Sequence, residues 1–434
     1  MRFKVASVLL TLTVLSSIGF VMSASETPLL EWSKTYYGSS GRAIQTADGG
    51  YAIAGSNASI LFFPAWERAP TLIKTGSSGE LQWNKTFEAT GHVATSSVVQ
   101  TKDGGYMLSG SSVIISNEFI SEISAGNLPY SGWIIKTDEQ GKLEWNKTIE
   151  LPLERCYIIQ TSDENFVLTG YMKNSSNATD GVLMMLDDGG NILWNKTFGG
   201  DSSRVFANTV VEANNAGYVV GGSWDGDGWL MKVDSEGNLQ WSQTYLIGKS
   251  EAHLFWAVTK TSEGGYVLAG GRLDSACLIK TDSFGNMDWN RVYPAAGSLG
   301  FISVAEIKGG YVVVSQYDKQ AWIAKVDENG DLLYDIKFGD VDKNNSSSVS
   351  SVIATDDGGF AVAGRLNSYS PSTSEDFQIT PFVGDDVWLA KFAADSDLTT
   401  PTSVPNFPLW VVLSVFAIAV LLAAVIVRRK KSVK

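Results

Sequence analysis

The chain has 434 residues, with 33 Lys and Arg against 46 Asp and Glu, a formal charge of −13, and 11 % aromatic residues. That aromatic content excludes global disorder, and the net negative charge argues against a nucleic-acid binder that works by neutralising phosphates. Two Cys cannot build a disulfide scaffold, and two His leave little for zinc sites or histidine-based catalysis.

Residues 1–24 read as a secretory signal, with Arg2 and Lys4 as the charged region, Val5 to Val21 as the apolar run, and Ser23 and Ala24 as small residues at a cleavage site. A retained signal anchor is the competing reading. Next comes LLEWSKTYY at 29–37, followed by seven copies of a unit that recurs about every 50 residues. The first part of the unit is AIQTADGGYAIAGS at 43–56, VVQTKDGGYMLSGS at 98–111 and IIQTSDENFVLTGY at 158–171. It returns as VVEANNAGYVVGGS at 210–223, VTKTSEGGYVLAGG at 258–271, AEIKGGYVVVS at 305–315 and VIATDDGGFAVAGR at 352–365.

The second part is a strand, a Gly turn and a Trp strand, as in WIIKTDEQGKLEWNKTI at 133–149 and WLMKVDSEGNLQWSQTY at 229–245. Each unit therefore carries four runs with strand character, linked by Asp-Gly-Gly and Asp-x-x-Gly hairpins in which Gly supplies positive φ. Gly79, Gly141, Gly190, Gly237, Gly285 and Gly330 occupy one position of the unit. Four short strands at this period indicate an all-β fold, a β-propeller. The Trp-type fourth strand follows the first six units (Trp83, Trp145, Trp194, Trp241, Trp289, then Tyr334), but none follows VWLAKF at 387–392. The orphan copy at 29–37 is expected to fill that place, giving a seven-bladed propeller of four-stranded blades over 25–393, closed by its N-terminal strand with no open edge.

The stretch Asp138-Glu139-Gln140-Gly141-Lys142-Leu143-Glu144-Trp145 resembles the repeats of pyrroloquinoline-quinone-type propellers, with one residue fewer between Asp and Gly. The resemblance implies Trp side chains docking between blades. It carries no quinone chemistry, and no cofactor is expected.

In such a blade the second-to-third and fourth-to-first connections emerge on one face. Long second-to-third connections occur at 57–69, 113–130 and 366–385, in units that are neighbours once the ring closes. Phe62, Phe63, Trp66, Phe119, Tyr130, Tyr369, Phe377 and Phe382 should gather there as a partner-binding sector or as a self-packed lid. Arg42, Arg155 and Arg204 stand near the starts of innermost strands, placed either to clamp an anionic or carbohydrate ligand or to form a solvated rim beside Glu154. Trp224-Asp225-Gly226-Asp227-Gly228 reads as a polar turn rather than a calcium loop, and no metal site is expected. No nucleophile motif surrounds His92 or His253, so no catalytic residue is assigned. Cys156 and Cys277 fall in non-adjacent units and read as buried thiols. Asn57, Asn84, Asn146, Asn174, Asn177, Asn195, Asn344 and Asn345 begin Asn-x-Ser/Thr sequons; Asn57, Asn174, Asn177, Asn344 and Asn345 lie in loops and are the glycosylation candidates.

Residues 394–408 form a Thr/Pro stalk. Leu409 to Val427 is an uncharged run long enough to cross a membrane, and Arg428, Arg429, Lys430, Lys431 and Lys434 make a tail at 428–434 that stays cytoplasmic. Pro405-Asn406-Phe407-Pro408 before that run resembles archaeal C-terminal anchoring signals of the Pro-Glu-Phe type, with Asn where the pattern has Glu. With two basic residues in the signal and five in the tail, the outer region carries about −20. The expectation is a single-pass cell-surface glycoprotein whose N-terminal propeller, outside the cell membrane, binds an extracellular protein or polysaccharide while its C-terminal helix sits in the lipid bilayer. The alternatives are a propeller enzyme (a quinone-dependent oxidoreductase or a glycan-active hydrolase) and a structural envelope component.

Overall fold

The apolar runs of each unit become antiparallel strands, because alternating or fully apolar segments bury best as stacked small sheets. The computed structural model describes residues 28–58, 68–88, 92–113, 130–247, 254–272, 275–294, 300–338, 345–368 and 386–394. Five of the seven blades are separate four-stranded sheets. Blades 1 and 2 are joined by one parallel bridge, Arg68 to His92, at the same place where Thr179 meets Arg204 between blades 3 and 4. Blade 7 takes its outer strand from the chain start, Leu30–Tyr37, paired antiparallel with Asp386–Phe392 in a register that sets Trp32 opposite Lys391. The seven-bladed, strand-closed ring expected from the repeats is the fold.

The core is divided by joints. Buried apolar side chains fall into seven groups, each shared by two adjacent blades, such as Tyr36, Ile53, Ile73, Ala363 and Leu389 between blades 7 and 1. Three belts of polar or aromatic contacts cross these joints.

The outermost belt is the Trp of each fourth strand. Trp32, Trp83, Trp145, Trp194, Trp241 and Trp289 lie against Gly79, Gly141, Gly190, Gly237, Gly285 and Gly330 of the following blade; a Cβ at any of these glycines would sit 2.5–2.8 Å from the ring. Trp32, Trp83, Trp194 and Trp289 also meet the buried Tyr near the start of the next blade's second strand, with Trp32–Tyr51 at 5.6 Å and Trp83–Tyr106 at 5.8 Å, both edge-on. Tyr36, Tyr245 and Tyr293 add hydroxyl bonds to the carbonyls of Gly79, Gly285 and Gly330.

Midway, Ser, Thr and Asn side chains bridge to neighbouring backbone. Thr95 Oγ1 donates to Gly55 O, Ser97 Oγ to Ile158 O, Thr169 Oγ1 to Ala207 O and Asn208 Nδ2 to Phe255 O. The Ala43 N–H donates to Ser351 Oγ and closes the ring between blades 7 and 1. At the turn face a third belt recurs. A Gln or Glu at the end of an inner strand accepts from a turn amide of the preceding blade: Gln45 from Asp356, Gln100 from Ala47, Gln160 from Lys102, Glu212 from Ser162 and, one residue before its strand ends, Glu306 from Ser262.

Within blades, a buried Lys of the third strand reaches the acid of its own first turn: Lys74 to Asp48 at 2.7 Å, Lys136 to Asp103 at 2.7 Å, Lys280 to Glu263 at 2.6 Å and Lys391 to Asp357 at 2.8 Å. Burial works against the charged carboxyl. The hydrogen bonds from Lys, Thr and a Gly amide outweigh it and hold Asp48, Asp103 and Asp357 down at about 2. A carboxyl lowered by folding stabilises the ring fully above its ordinary value of 3.8 and loses that contribution as the pH falls toward about 2. Thermal melts in acid should therefore fall through this window, and less so in Asp48→Asn. Asp48→Ala is expected to cost roughly 1–3 kcal/mol by stranding the Lys74 ammonium with the Thr75 carbonyl alone. Lys74→Met should cost less, because it removes the buried charge together with its need for a partner. Urea titration of the two variants gives the order, and the reverse order would refute it.

Candidate functional site

The two faces of the ring differ. On the turn face the hairpins repeat with little variation, and the Gln/Glu belt ties them. The exception is blade 6, where Lys308-Gly309 makes a two-residue turn between Ile307 and Gly310. This shortening leaves a cleft of about 390 Å³ between the turns of blades 5 and 7, bordered by Glu263, Lys280, Glu306, Lys308 and Thr355. Its charges are already engaged in part, Lys280 with Glu263 and Glu306 with Ser262.

The opposite face carries the second-to-third connections. Those of blades 3 to 6 are short, at 174–178, 225–226, 273–274 and 318–319, because the hairpin strands pair further than the repeat pattern alone indicated. The long ones lead from Ala58 to Arg68, from Val113 to Tyr130 and from Ser368 to Asp386, in blades 1, 2 and 7, which ring closure makes adjacent. Phe62, Phe63, Trp66, Phe119, Tyr369, Phe377 and Phe382 lie outside the described residues, as do Asn344, His253, the signal, and residues 395–434 with the membrane run and tail. No described helix is long and apolar enough to cross a membrane.

Tyr130 is described. It pairs with Val113 at the start of its strand and is half-buried. Burial, with Glu154 nearby, raises its hydroxyl. Glu154 is itself raised by burial, which the Lys173 charge opposes.

At the axis, the sequence candidates Arg42 and Arg155 come together, and Arg204 does not join them. The Arg42 guanidinium lies 5.0 Å over the Tyr157 ring, and the Arg155 guanidinium 4.8 Å over the Trp256 ring. These pairs link the inner strands of blade 1 to blade 3 and of blade 3 to blade 5. Blades two apart in the ring can touch only across the axial space. Arg155 and Tyr157 are two residues apart on one strand and so share its channel face. Burial and the Arg155 charge, opposed by Tyr157, move the Arg42 guanidinium down from its ordinary value. Among the described residues no carboxylate is ion-paired with either guanidinium. Tyr171 and Phe206 add an edge-on aromatic pair at 4.9 Å between blades 3 and 4.

Trp256 was not among the sequence candidates. It sits at a β-bulge, where the register with the second strand skips from Phe255 to Ala257, and the extra residue is re-aimed into the channel. Four other inner strands are irregular at the matching place, while blades 3 and 6 are regular there. Extending the unit alignment two residues upstream would have exposed Trp256, which stands where the other bulged strands carry Gly41, Ser96, Asn208 and Ser350.

Arg204 is exposed, and its backbone is tied to Asp225: its N–H donates to Asp225 Oδ1, and its carbonyl accepts from the Asp225 N–H. Asp225 and Gly226, both at positive φ, form the hairpin turn expected of that acidic stretch. No cluster of three or more His, Cys, Asp or Glu suited to a metal occurs among the described residues. Cys156 and Cys277 are free and buried, and burial pushes both thiols up. Asn174 uses its amide to hold a turn, accepting from Ser176 and Ala178 and donating to Asp180 and Gly200, whereas Asn177 is exposed. Asn57 and Asn345, expected in loops, lie instead at the ends of strands Tyr51–Ala58 and Asn345–Ala354.

The geometry defines a seven-bladed β-propeller with an arginine–aromatic axial mouth. No protein-family model and no curated protein matches the sequence. Similar solved structures include the propeller of Dos1, at 13 % identity over 84 % of this chain and 95 % of that one, with a TM-score of 0.48. They also include a putative 6-phosphogluconolactonase from Bacteroides fragilis, at 11 % identity over 79 % of this chain and 97 % of that one, TM-score 0.47. Trypanosoma rangeli sialidase in complex with the inhibitor DANA is similar at 11 % identity over 83 % of this chain and 60 % of that one, TM-score 0.45. Likenesses at this level carry nothing about activity or ligand, and the propeller assignment rests on the sheet topology.

Proposed function

We propose that the chain is a membrane-anchored, cell-surface propeller that binds an extracellular protein or polysaccharide through the face bearing its long connections. The observation that supports this most is the pairing of Leu30–Tyr37 with Asp386–Phe392, because it sets blades 7, 1 and 2 side by side and so gathers all three long connections in one sector. The turn face, by contrast, is held by repeated hairpins. A repeated scaffold with long, aromatic-rich connections on one face is the usual division between scaffold and contact surface. The signal at 1–24, the stalk, the apolar run at 409–427 and the basic tail orient that ring outward under the positive-inside rule.

Replacing 59–67, 114–129 and 369–385 by short Gly/Ser links is expected to leave the thermal melt unchanged within a few degrees and to abolish binding of the full chain to isolated cell envelopes. A trimmed chain that binds envelopes as well as the parent refutes the reading.

A further inference from the structure

We propose that the axial mouth is a binding site for a saccharide bearing an isolated carboxylate, gripped by the Arg42 and Arg155 guanidinium groups between the Tyr157 and Trp256 rings. The inference deepens the surface-binding reading and rests on it.

Arg42 is half-buried and has the exposed Arg155 charge near it, an arrangement that is costly for Arg42 unless an anion neutralises the pair. Each guanidinium lies over an aromatic face, at 5.0 and 4.8 Å, and for the half-buried Arg42 this offsets only part of the cost of its burial. Stacking uses the face of the guanidinium and leaves the N–H groups in its plane. That edge is the fork that matches a carboxylate bidentately. No described carboxylate takes that place: Glu154, the nearest acid in sequence, faces the Lys173 charge. Among the described residues the site therefore has donors held over aromatic faces and no carboxylate acceptor.

The walls decide the rest of the ligand. Tyr157 and Trp256 are half-buried, as are Tyr171 and Phe206 above the same opening. Aromatic faces beside a few convergent polar groups suit a small amphipathic molecule, and the apolar face of a pyranose fits against such a ring. The outer region carries about −20. That charge repels a densely charged polymer, while at physiological salt it is screened beyond about 8 Å and leaves a direct fork contact intact. A sugar acid at a chain end, or spaced among neutral sugars, satisfies both conditions.

The test titrates the full chain in detergent with glucuronate, glucose, acetate, and a short peptide with either a free or an amidated C-terminus, reading Trp fluorescence and calorimetric heat. Glucuronate is expected to bind at least tenfold more tightly than glucose, acetate or either peptide. Arg42→Gln and Arg155→Gln should each lose tenfold or more, with the thermal melts checked for folding. Arg155→Lys, which keeps the charge and loses the fork, should fall between Gln and the parent. Acetate equal to glucuronate overturns the saccharide assignment. Preference for the free-carboxylate peptide overturns it in favour of a protein C-terminus, and binding of none overturns the site. If glucuronate fails while loop trimming still abolishes envelope binding, the ligand class falls and the display reading stands.

Discussion

Deletion of residues 29–37 is expected to leave a chain that cannot close its ring. Blade 7 would keep three strands and expose the edge of Asp386–Phe392. The joint to blade 1 would lose Trp32 against Gly79 and Tyr51, the Tyr36 hydroxyl bond to Gly79 O at 2.7 Å, and the Glu31 oxygen 3.3 Å from the buried Lys391 ammonium. Truncating a large buried aromatic costs about 3–5 kcal/mol, and this deletion removes one buried and one half-buried aromatic together with a strand. Whole domains are stable by only about 5–15 kcal/mol. The deleted chain should therefore elute as soluble aggregate or as an expanded monomer, with no cooperative melt, since an open edge pairs with other chains. A deletion variant that is monomeric and melts with the parent would show that the outer strand is dispensable and that the ring closes through the inner belts alone.

How much of this was legible in the sequence depends on where each partner sits. The unit repeat runs along the chain, so strand count, hairpin glycines and the missing seventh Trp strand could all be counted, and the place of 29–37 followed. The contacts that hold blades together run across the repeat, and there the reading was partial. Trp83 was expected between blades, but its seat on Gly141 required two copies to be superposed one unit apart. Lys74 and Asp48 lie 26 residues apart, and neither stands out until a hairpin brings the first turn beside the third strand. Gln45 looks like a surface polar residue until ring closure places it beside Asp356, 311 residues away. The axial site was half legible. Arg42 and Arg155 were visible as charges in apolar strands, Arg204 looked equivalent and is not, and Trp256 was hidden because it stands two residues ahead of the recurring unit, at a bulge position where other blades carry Gly41, Ser96, Asn208 and Ser350. Function-bearing departures from this repeat are found by asking which residue type changes at an aligned position, since the bulge recurs in five blades and only blade 5 places a Trp on it.

Gly141→Ala is expected to damage a blade joint, and a matched control separates its two causes. Gly49 and Gly141 both hold positive φ, +77° and +72°. A Cβ on Gly49 would have nothing within 4 Å, whereas on Gly141 it would lie 2.6 Å from the Trp83 ring. Gly49→Ala therefore measures the left-handed backbone alone, about 1–2 kcal/mol. Gly141→Ala adds overpacking of roughly 1–3 kcal/mol, because the ring is also held edge-on to Tyr106 and cannot retreat freely. Chemical denaturation should thus place Gly141→Ala below Gly49→Ala by at least about 1 kcal/mol. Trp83→Ala removes the obstructing ring, so in the double variant the overpacking should vanish while the backbone strain remains, giving a favourable coupling of about 1–3 kcal/mol for contacting residues. Strict additivity in that cycle would mean that the Trp–Gly contact does not lock the joint, and that the polar belts nearer the axis carry the ring.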